Sequence, residues 1–328
     1  MKAAVYSQYG PPGVVQIKEV EKPFPGDEEV LIKVRAASIN PLDWHFMRGE
    51  PYLVRMAGGL RRPKDPRLGV DVAGQVEEVG RNVTQFKPGD EVFGSCRGAL
   101  AEYTSTSESA LVLKPANVTF EQAASVPAAA LTALQGLRDK GHIQPGQKVL
   151  INGAAGGVGT FAVQLAKSLG ASVTGVCSTR NVEMVRSIGA DQVIDYTRED
   201  FTKNEQRYDL VLDCVWNHSL SESRRVLNPK GTYIIIGGPA SRWMIGLLAR
   251  MIKALVLSWF MSQKLIPLPV RRSQADLTTM HDLLKAGKVT PVIDRCYSLN
   301  EAAEAIRYLE EGHARGKVVI VVEKSLSS

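Results

Sequence analysis

Two things are missing from this 328-residue chain: cysteines in metal-type spacing, and any long apolar run free of charge. Its four cysteines, Cys96, Cys177, Cys214 and Cys296, are scattered without a C-x-x-C pair. Structural zinc sites and disulfide frameworks need clustered or matched cysteines, so free thiols in a reducing compartment are expected. The opening residues Met1-Lys2-Ala3-Ala4-Val5-Tyr6 run straight into a strand-like segment with no signal-type apolar core and no Arg-rich transit pattern, and a cytoplasmic location is the expectation. There is no block of Lys or Arg and no interleaved aromatic platform. The net charge of +6 therefore reads as a solvated surface that suits an anionic cofactor, with no nucleic acid as partner.

Residues 243–268 come nearest to a membrane span, being rich in Leu, Ile, Met and Trp. Arg250 and Lys253 interrupt the stretch near its middle, where charges are costly, and this excludes a transmembrane helix. Three residues apart, they share one face of a predicted helix. Such a helix suits a cover over a substrate cleft or a subunit interface, with a peripheral membrane contact through 243–268 as the alternative.

The rest is ordinary globular sequence: 44% hydrophobic and 23% charged residues, without internal repeats or low-complexity segments. The length calls for two domains. Up to about residue 120, short β-branched runs such as Glu29-Val30-Leu31-Ile32-Lys33-Val34 alternate with turn signals such as Pro25-Gly26-Asp27 and Lys87-Pro88-Gly89-Asp90, which predicts a barrel or sandwich. Residues 121–137 read as helix. From Lys148-Val149-Leu150-Ile151 onward, strand and helix alternate through 172–176, 192–194, 210–213 and 232–236, which predicts a doubly wound parallel sheet. A helix over 300–311 and a final strand over 318–322 return to the first domain. The expected division is residues 1–122 with 293–328, and 123–292.

The strongest motif is Asn152-Gly153-Ala154-Ala155-Gly156-Gly157-Val158-Gly159, between a predicted strand and a predicted helix. It fits A-x-G-x-x-G, with Ala154 where a first glycine usually stands, and in this context it predicts a dinucleotide site. Gly156 and Gly157 let backbone N–H groups reach the pyrophosphate at a helix N-terminus, and Gly159 lets the helix pack closely on the sheet. An NAD site carries a carboxylate about 20 residues further on. Here the second strand ends in Cys177-Ser178-Thr179-Arg180 instead. Hydroxyls and a guanidinium accept a 2′-phosphate that a carboxylate would repel, so NADPH is the expected cofactor, with Ser178, Thr179 and Arg180 as its contacts.

Taken together, Ser38-Ile39-Asn40-Pro41-Leu42-Asp43, Gly69-Val70-Asp71-Val72-Ala73-Gly74, Lys87-Pro88-Gly89-Asp90-Glu91-Val92, Ala130-Leu131-Thr132-Ala133, the glycine loop, Gly189-Ala190-Asp191-Gln192-Val193-Ile194-Asp195-Tyr196 and His313-Ala314-Arg315-Gly316-Lys317 give the chain a resemblance to a known family. It resembles the zinc-independent, quinone oxidoreductase-like branch of the medium-chain dehydrogenase/reductases, most nearly the subgroup of chloroplast-envelope quinone oxidoreductase homologues. The resemblance implies a GroES-like catalytic domain beside a Rossmann domain, and a homodimer. It also implies Thr132 beside the nicotinamide, Tyr196 on the adenine ribose or its phosphate, and Gly237, Gly238, Gly316 and Lys317 against the cofactor.

Zinc-dependent members place a cysteine where this chain has Asn40-Pro41 and a G-H-E motif where it has Gly69-Val70-Asp71, so no metal is expected. Without a Lewis acid, conjugate reduction of an enone or reduction of a quinone suits the site better than alcohol oxidation. Asn40 is expected to offer an amide N–H to a carbonyl or the nicotinamide ribose. Asp43 is expected to orient its neighbours rather than donate a proton. His45 and Tyr52 are the candidate proton relays or oxyanion donors, and relatives have a tyrosine where this chain has a histidine, which leaves the acid unassigned. A metal-free NADP-dependent alcohol dehydrogenase or carbonyl reductase, and a low-turnover NADPH-binding protein at a membrane surface, stay open as alternatives.

Overall fold

The computed structural model describes residues 1–236 and 262–322. Packing divides the chain into two units, Met1–Leu131 with Arg271–Ser328, and Thr132–Val270.

The first unit is β-rich. Strands β1 (Lys2–Val5) and β2 (Gln16–Glu19) form an antiparallel pair. A seven-stranded sheet combines β3 (Glu29–Ile39), β4 (Asp71–Val79), β5 (Glu91–Ser95), β6 (Tyr103–Ser107) and β7 (Leu111–Leu113) with two strands from the returning segment, β14 (Ile293–Ser298) and β15 (Lys317–Val321). Its order is β14-β15-β3-β4-β5-β7, with β6 also pairing β3. The β-branched run predicted at 29–34 is the first half of β3, whose Val30, Ile32 and Val34 are buried in one cluster with Val72 and Val76 of β4. That cluster also holds Met47 of helix α1 (Pro41–Arg48) and Ala302, Ala305 and Ile306 of a later helix, Ala302–Glu310. Helix α1 begins at Pro41, which has no N–H to lose there, and ends at Gly49 in the left-handed region. Helix α2 (Leu53–Gly58) follows.

The predicted helix over 121–137 is broken. Helix α3 (Phe120–Ala124), with Thr119 and Gln122 as a capping box, stops before Pro127, and α4 (Pro127–Leu134) starts on that proline and runs into a π-helical turn, Gln135–Lys140. A proline is tolerated at the first helical position but not in a helix interior.

The second unit is a six-stranded parallel sheet of order β10-β9-β8-β11-β12-β13. Its strands are β8 (Lys148–Asn152), β9 (Ser172–Cys177), β10 (Gln192–Asp195), β11 (Tyr208–Asp213), β12 (Leu227–Ile235) and β13 (Lys264–Pro267). Val149, Leu150 and Ile151 are buried in succession, as expected of a parallel strand covered on both faces. Helices α5 (Gly157–Ser168), α6 (Val182–Ser187) and α7 (Leu220–Arg225) connect the strands. In the returning segment, α8 (Gln274–Lys285) and α9 (Ala302–Glu310) pack in the β-rich unit.

The predicted helix over 243–268 is corrected at its end, because Lys264–Pro267 is the edge strand β13, paired in parallel with β12. Apolar composition alone does not separate a buried helix from a buried strand. The expected cofactor residues Gly237 and Gly238, and 243–261 of that stretch, lie outside the described residues. No described helix is long and apolar enough to cross a membrane.

Candidate active site

The sheet of the second unit changes direction at β8. Strands β9 and β10 lie to one side of it, and β11, β12 and β13 to the other. Ligands of doubly wound sheets bind outside the carboxyl ends of the strands at such a switch point. Asn152 ends β8 and Asp213 ends β11, and the Asn152 Nδ2 donates to Asp213 Oδ1 at 2.8 Å. Asp213 is fully buried. It also accepts the backbone N–H groups of Val215 (2.9 Å) and Trp216 (2.7 Å) and the Tyr233 hydroxyl. Nothing in the sequence marked Asp213, whose partners lie up to 61 residues away.

The glycine loop follows β8 and opens α5. Gly153 and Ala154 donate to Val176 O of β9, and Gly156 donates back to Gly153 O, folding residues 153–156 into a tight turn. Gly156 is the N-cap of α5, and no side chain caps it. The first-turn N–H groups at Gly157, Val158 and Gly159 thus face the turn with the positive end of the helix dipole behind them. A Cβ on Gly159 would stand 2.1 Å from Gly153 O, whereas one on Gly156 meets nothing nearer than Gly153 O at 3.4 Å. Gly159 is therefore required for packing. The bare edge at Gly156 is a cradle that a side chain would fill, which fits a pyrophosphate.

At the end of β9, Ser178 precedes a 3-10 turn, Thr179–Asn181, and its hydroxyl accepts from Asn181 Nδ2 at 3.1 Å. The Thr179 hydroxyl, expected to face a phosphate, instead donates to Asp195 Oδ2 at 2.6 Å. Asp195 ends the neighbouring strand β10, so a carboxylate does stand beside this turn, brought by sheet pairing that the chain order hides. Hydrogen bonds from the Thr179 and Thr197 hydroxyls hold its pKa below the usual carboxylate value, and Arg198 lies 3.5 Å away. Tyr196 is largely exposed, and its N–H donates to Cys177 O.

In the β-rich unit, Asn40, Asp43 and Lys317 come together. Asn40 N donates to Asp43 Oδ2 (2.8 Å) and Gly69 N to Asp43 Oδ1 (3.1 Å), so both carboxylate oxygens hold backbone. Burial pushes the Asp43 pKa up to about 7, against the Asn40 N–H and Lys317 and with the charge of Asp71. The Lys317 ammonium is buried and donates to Asn40 Oδ1 (2.5 Å) and Ile39 O (3.4 Å), and it stands 3.6 Å from Asp71 Oδ2. Gly316 makes this possible. Its φ is +81°, and a Cβ there would lie 2.2 Å from Val292 O, the carbonyl that receives the Lys317 N–H. Burial lowers the Lys317 pKa, and the carboxylates of Asp71 and Asp43 work against that. Thr132 is buried on α4.

The structure gives His45 and Tyr52 other neighbours. The His45 ring stacks on Trp44 at 3.8 Å, and its Nδ1 lies 2.7 Å from Glu50 O. Only a protonated Nδ1 can bond a carbonyl, and burial pulls the His45 pKa down, so the neutral ring presents Nε2 as an acceptor rather than a donor. Tyr52 precedes α2, where the Arg55 guanidinium lies 4.6 Å from the Tyr9 ring and 4.8 Å from the Tyr52 ring.

The residue that sequence reasoning missed here is Asp71. Ser38 Oγ donates to it at 3.0 Å and Asn40 Nδ2 at 2.9 Å. Its signals were its place in the Gly69-Val70-Asp71 motif and a carboxylate in the otherwise apolar strand Val70-Asp71-Val72-Ala73. Among the described residues, no group of three or more His, Cys, Asp or Glu is placed to hold a metal.

Comparison with known proteins bears on the family and the fold. The alcohol dehydrogenase GroES-like domain matches residues 26–136, and the zinc-binding dehydrogenase family matches 188–320. The chloroplast envelope quinone oxidoreductase homolog of Arabidopsis thaliana is 35% identical over 98% of either chain. The chloroplastic NADPH-dependent alkenal/one oxidoreductase of the same plant is 35% identical over 98% of this chain and 79% of its own. Among solved structures, Escherichia coli quinone oxidoreductase complexed with NADPH matches with a TM-score of 0.84 at 25% identity, covering 98% of this chain and all of the other.

Proposed function

Given that the chain belongs to the medium-chain dehydrogenase/reductase family, among its quinone oxidoreductase-like members, we propose that it is an NADPH-dependent reductase of quinones or α,β-unsaturated carbonyls that works without zinc. The family makes it an oxidoreductase using a nicotinamide cofactor. Substrate, phosphate preference and metal independence are the further reading.

The observation that carries this reading is the charge beside Asp71. An anionic side chain on the strand where metal-dependent relatives carry ligands has here a buried ammonium 3.6 Å away and hydrogen bonds from Ser38 and Asn40. Lys317 supplies the positive charge a metal ion would bring, and it would repel one. When bound, NADPH supplies a hydride from its nicotinamide. The chain holds the pyrophosphate at the start of α5, and the hydroxyl and guanidinium of Ser178 and Arg180 favour the 2′-phosphate. Asn40 supplies an N–H where negative charge grows on a carbonyl oxygen. The proton comes from water or from a donor other than neutral His45. A homodimer and a cytoplasmic location belong to the same reading, and light scattering of the purified protein tests the first.

The test is NADPH and NADH oxidation by metal-stripped protein over quinones, 2-alkenals, vinyl ketones and simple aldehydes. Turnover of enones or quinones with a preference for NADPH supports the proposal. Turnover of simple aldehydes alone supports the alcohol dehydrogenase alternative, and NADPH binding without turnover supports a sensor role.

A further inference from the structure

Asparagine amides are nearly symmetric in shape, so their direction is set by their partners. Asn40 lies between opposite charges, with the Lys317 ammonium on Oδ1 and the Asp71 carboxylate on Nδ2. Turning the amide over would set N–H against ammonium and oxygen against carboxylate, both inside hydrogen-bond distance. Asp71 is itself fixed from its other side, where Oδ1 accepts Ala128 N at 3.0 Å in the first turn of α4. With the amide latched this way, one of its two N–H groups goes to Asp71. Among the described residues the second has Ser38 O at 3.4 Å, a long and weak bond. That second N–H is the one a ligand oxygen can take over, and the ammonium on Oδ1 strengthens it as a donor by polarising the amide.

Resting on the reductase reading, we propose that Asp71 and Lys317 are a positioning pair that orients and polarises the Asn40 amide toward the substrate carbonyl or the nicotinamide ribose. The two side chains act only through Asn40. Asp71→Asn keeps an oxygen for Ala128 N and loses the anionic Oδ2, so it changes the Asn40 side of the network while leaving α4 held.

The experiment measures kcat/KM for a vinyl ketone with NADPH, and the melting temperature, for the parent, Asp71→Asn, Lys317→Met, the neutral pair Asp71→Asn/Lys317→Met, and Asn40→Ala. Asp71→Asn leaves a buried ammonium without its anion, so the neutral pair, which buries no charge in that position, decides. The expected result is a melting temperature near the parent's with kcat/KM lower by about ten- to hundredfold, the range for losing a charge-assisted hydrogen bond. Asn40→Ala should show the same loss, and adding the neutral pair to it should change little. A pH profile separates positioning from mere support. Lys317 faces Asp71 on β4, Asp43 on α1, and the oxygens of Ile39 and Asn40. Activity should therefore fall as high pH removes its proton, the fall should start at lower pH in Asp71→Asn, and Lys317→Met should lack it. A neutral pair or an Asn40→Ala protein as active as the parent overturns the proposal, as does an alkaline limb that Lys317→Met leaves in place. A parent inactive toward every enone and quinone overturns the reductase reading and this inference with it.

Discussion

Two glycines in one loop give a sharp test of the cofactor site, because the structure assigns them opposite reasons for being glycine. A Cβ on Gly159 falls 2.1 Å from Gly153 O and 2.7 Å from Ala154 Cα, all backbone, so no side-chain rotation relieves it. Restoring a contact of about 3.5 Å moves α5 and the loop apart by more than about 1 Å. Overpacking of that kind costs about 1–3 kcal/mol, offset by up to about 1 kcal/mol from replacing glycine in a helix. Gly159→Ala should therefore lower stability by about 1–2 kcal/mol and weaken NADPH binding along with it. At Gly156 the backbone is extended, with φ −83°, and the nearest atom to an added Cβ is 3.4 Å away. Gly156→Ala should keep parental stability within about 0.5 kcal/mol. Its methyl group stands where the pyrophosphate approaches, so NADPH affinity should fall at least about tenfold, equivalent to 1.4 kcal/mol. Denaturant titration gives the stabilities and nucleotide fluorescence the affinities. A Gly156→Ala protein that binds NADPH as tightly as the parent would refute the placement of the pyrophosphate.

Asp43 should make the fold pH-sensitive. With its native pKa raised to about 7 by burial, against an unfolded value near 3.8, the native state keeps a proton that the unfolded chain has released. Stability should then fall as pH rises from about 4 to 7, by at most about 1.4 kcal/mol per pH unit. Denaturation at pH 5 and pH 8 should show that slope in the parent and not in Asp43→Asn; parallel profiles would contradict it. Arg180→Ala should weaken NADPH by about tenfold or more and leave NADH unchanged, because NADH lacks the 2′-phosphate with which the guanidinium would pair. Equal losses for both nucleotides would move the phosphate contact elsewhere. Arg48 binds Glu310 through two bonds of 2.5 and 2.9 Å, joining α1 to α9. Since the pair is partly exposed, Glu310→Gln should cost only about 1 kcal/mol of stability in denaturant titration.

The features legible in the sequence were local ones. The glycine loop, the strand before it and the helix after it all lie within about 20 residues, and the alternation of strand and helix repeats a pattern that the backbone dictates. What escaped was brought together from far apart. Asp71 meets Ser38, Asn40, Ala128 and Lys317, contacts that only the sheet order β15-β3-β4 and the start of α4 create. Asp195 reaches Thr179 because β10 pairs with β9, a neighbour relation that the order of residues along one strand does not contain. Pro127 was in plain view, yet the Ala-rich composition around it read as one continuous helix. Lys317 was expected against the cofactor through resemblance alone; its burial against Asn40 gives the same residue a physical task.

The most direct test of the central claim follows the hydride itself. Metal-stripped protein is given NADPH deuterated at the nicotinamide C4 and an α,β-unsaturated ketone, and the product is read by NMR. Deuterium is expected on the β-carbon of a saturated ketone. Deuterium on the carbonyl carbon of an allylic alcohol, or transfer that appears only when zinc is restored, would contradict it.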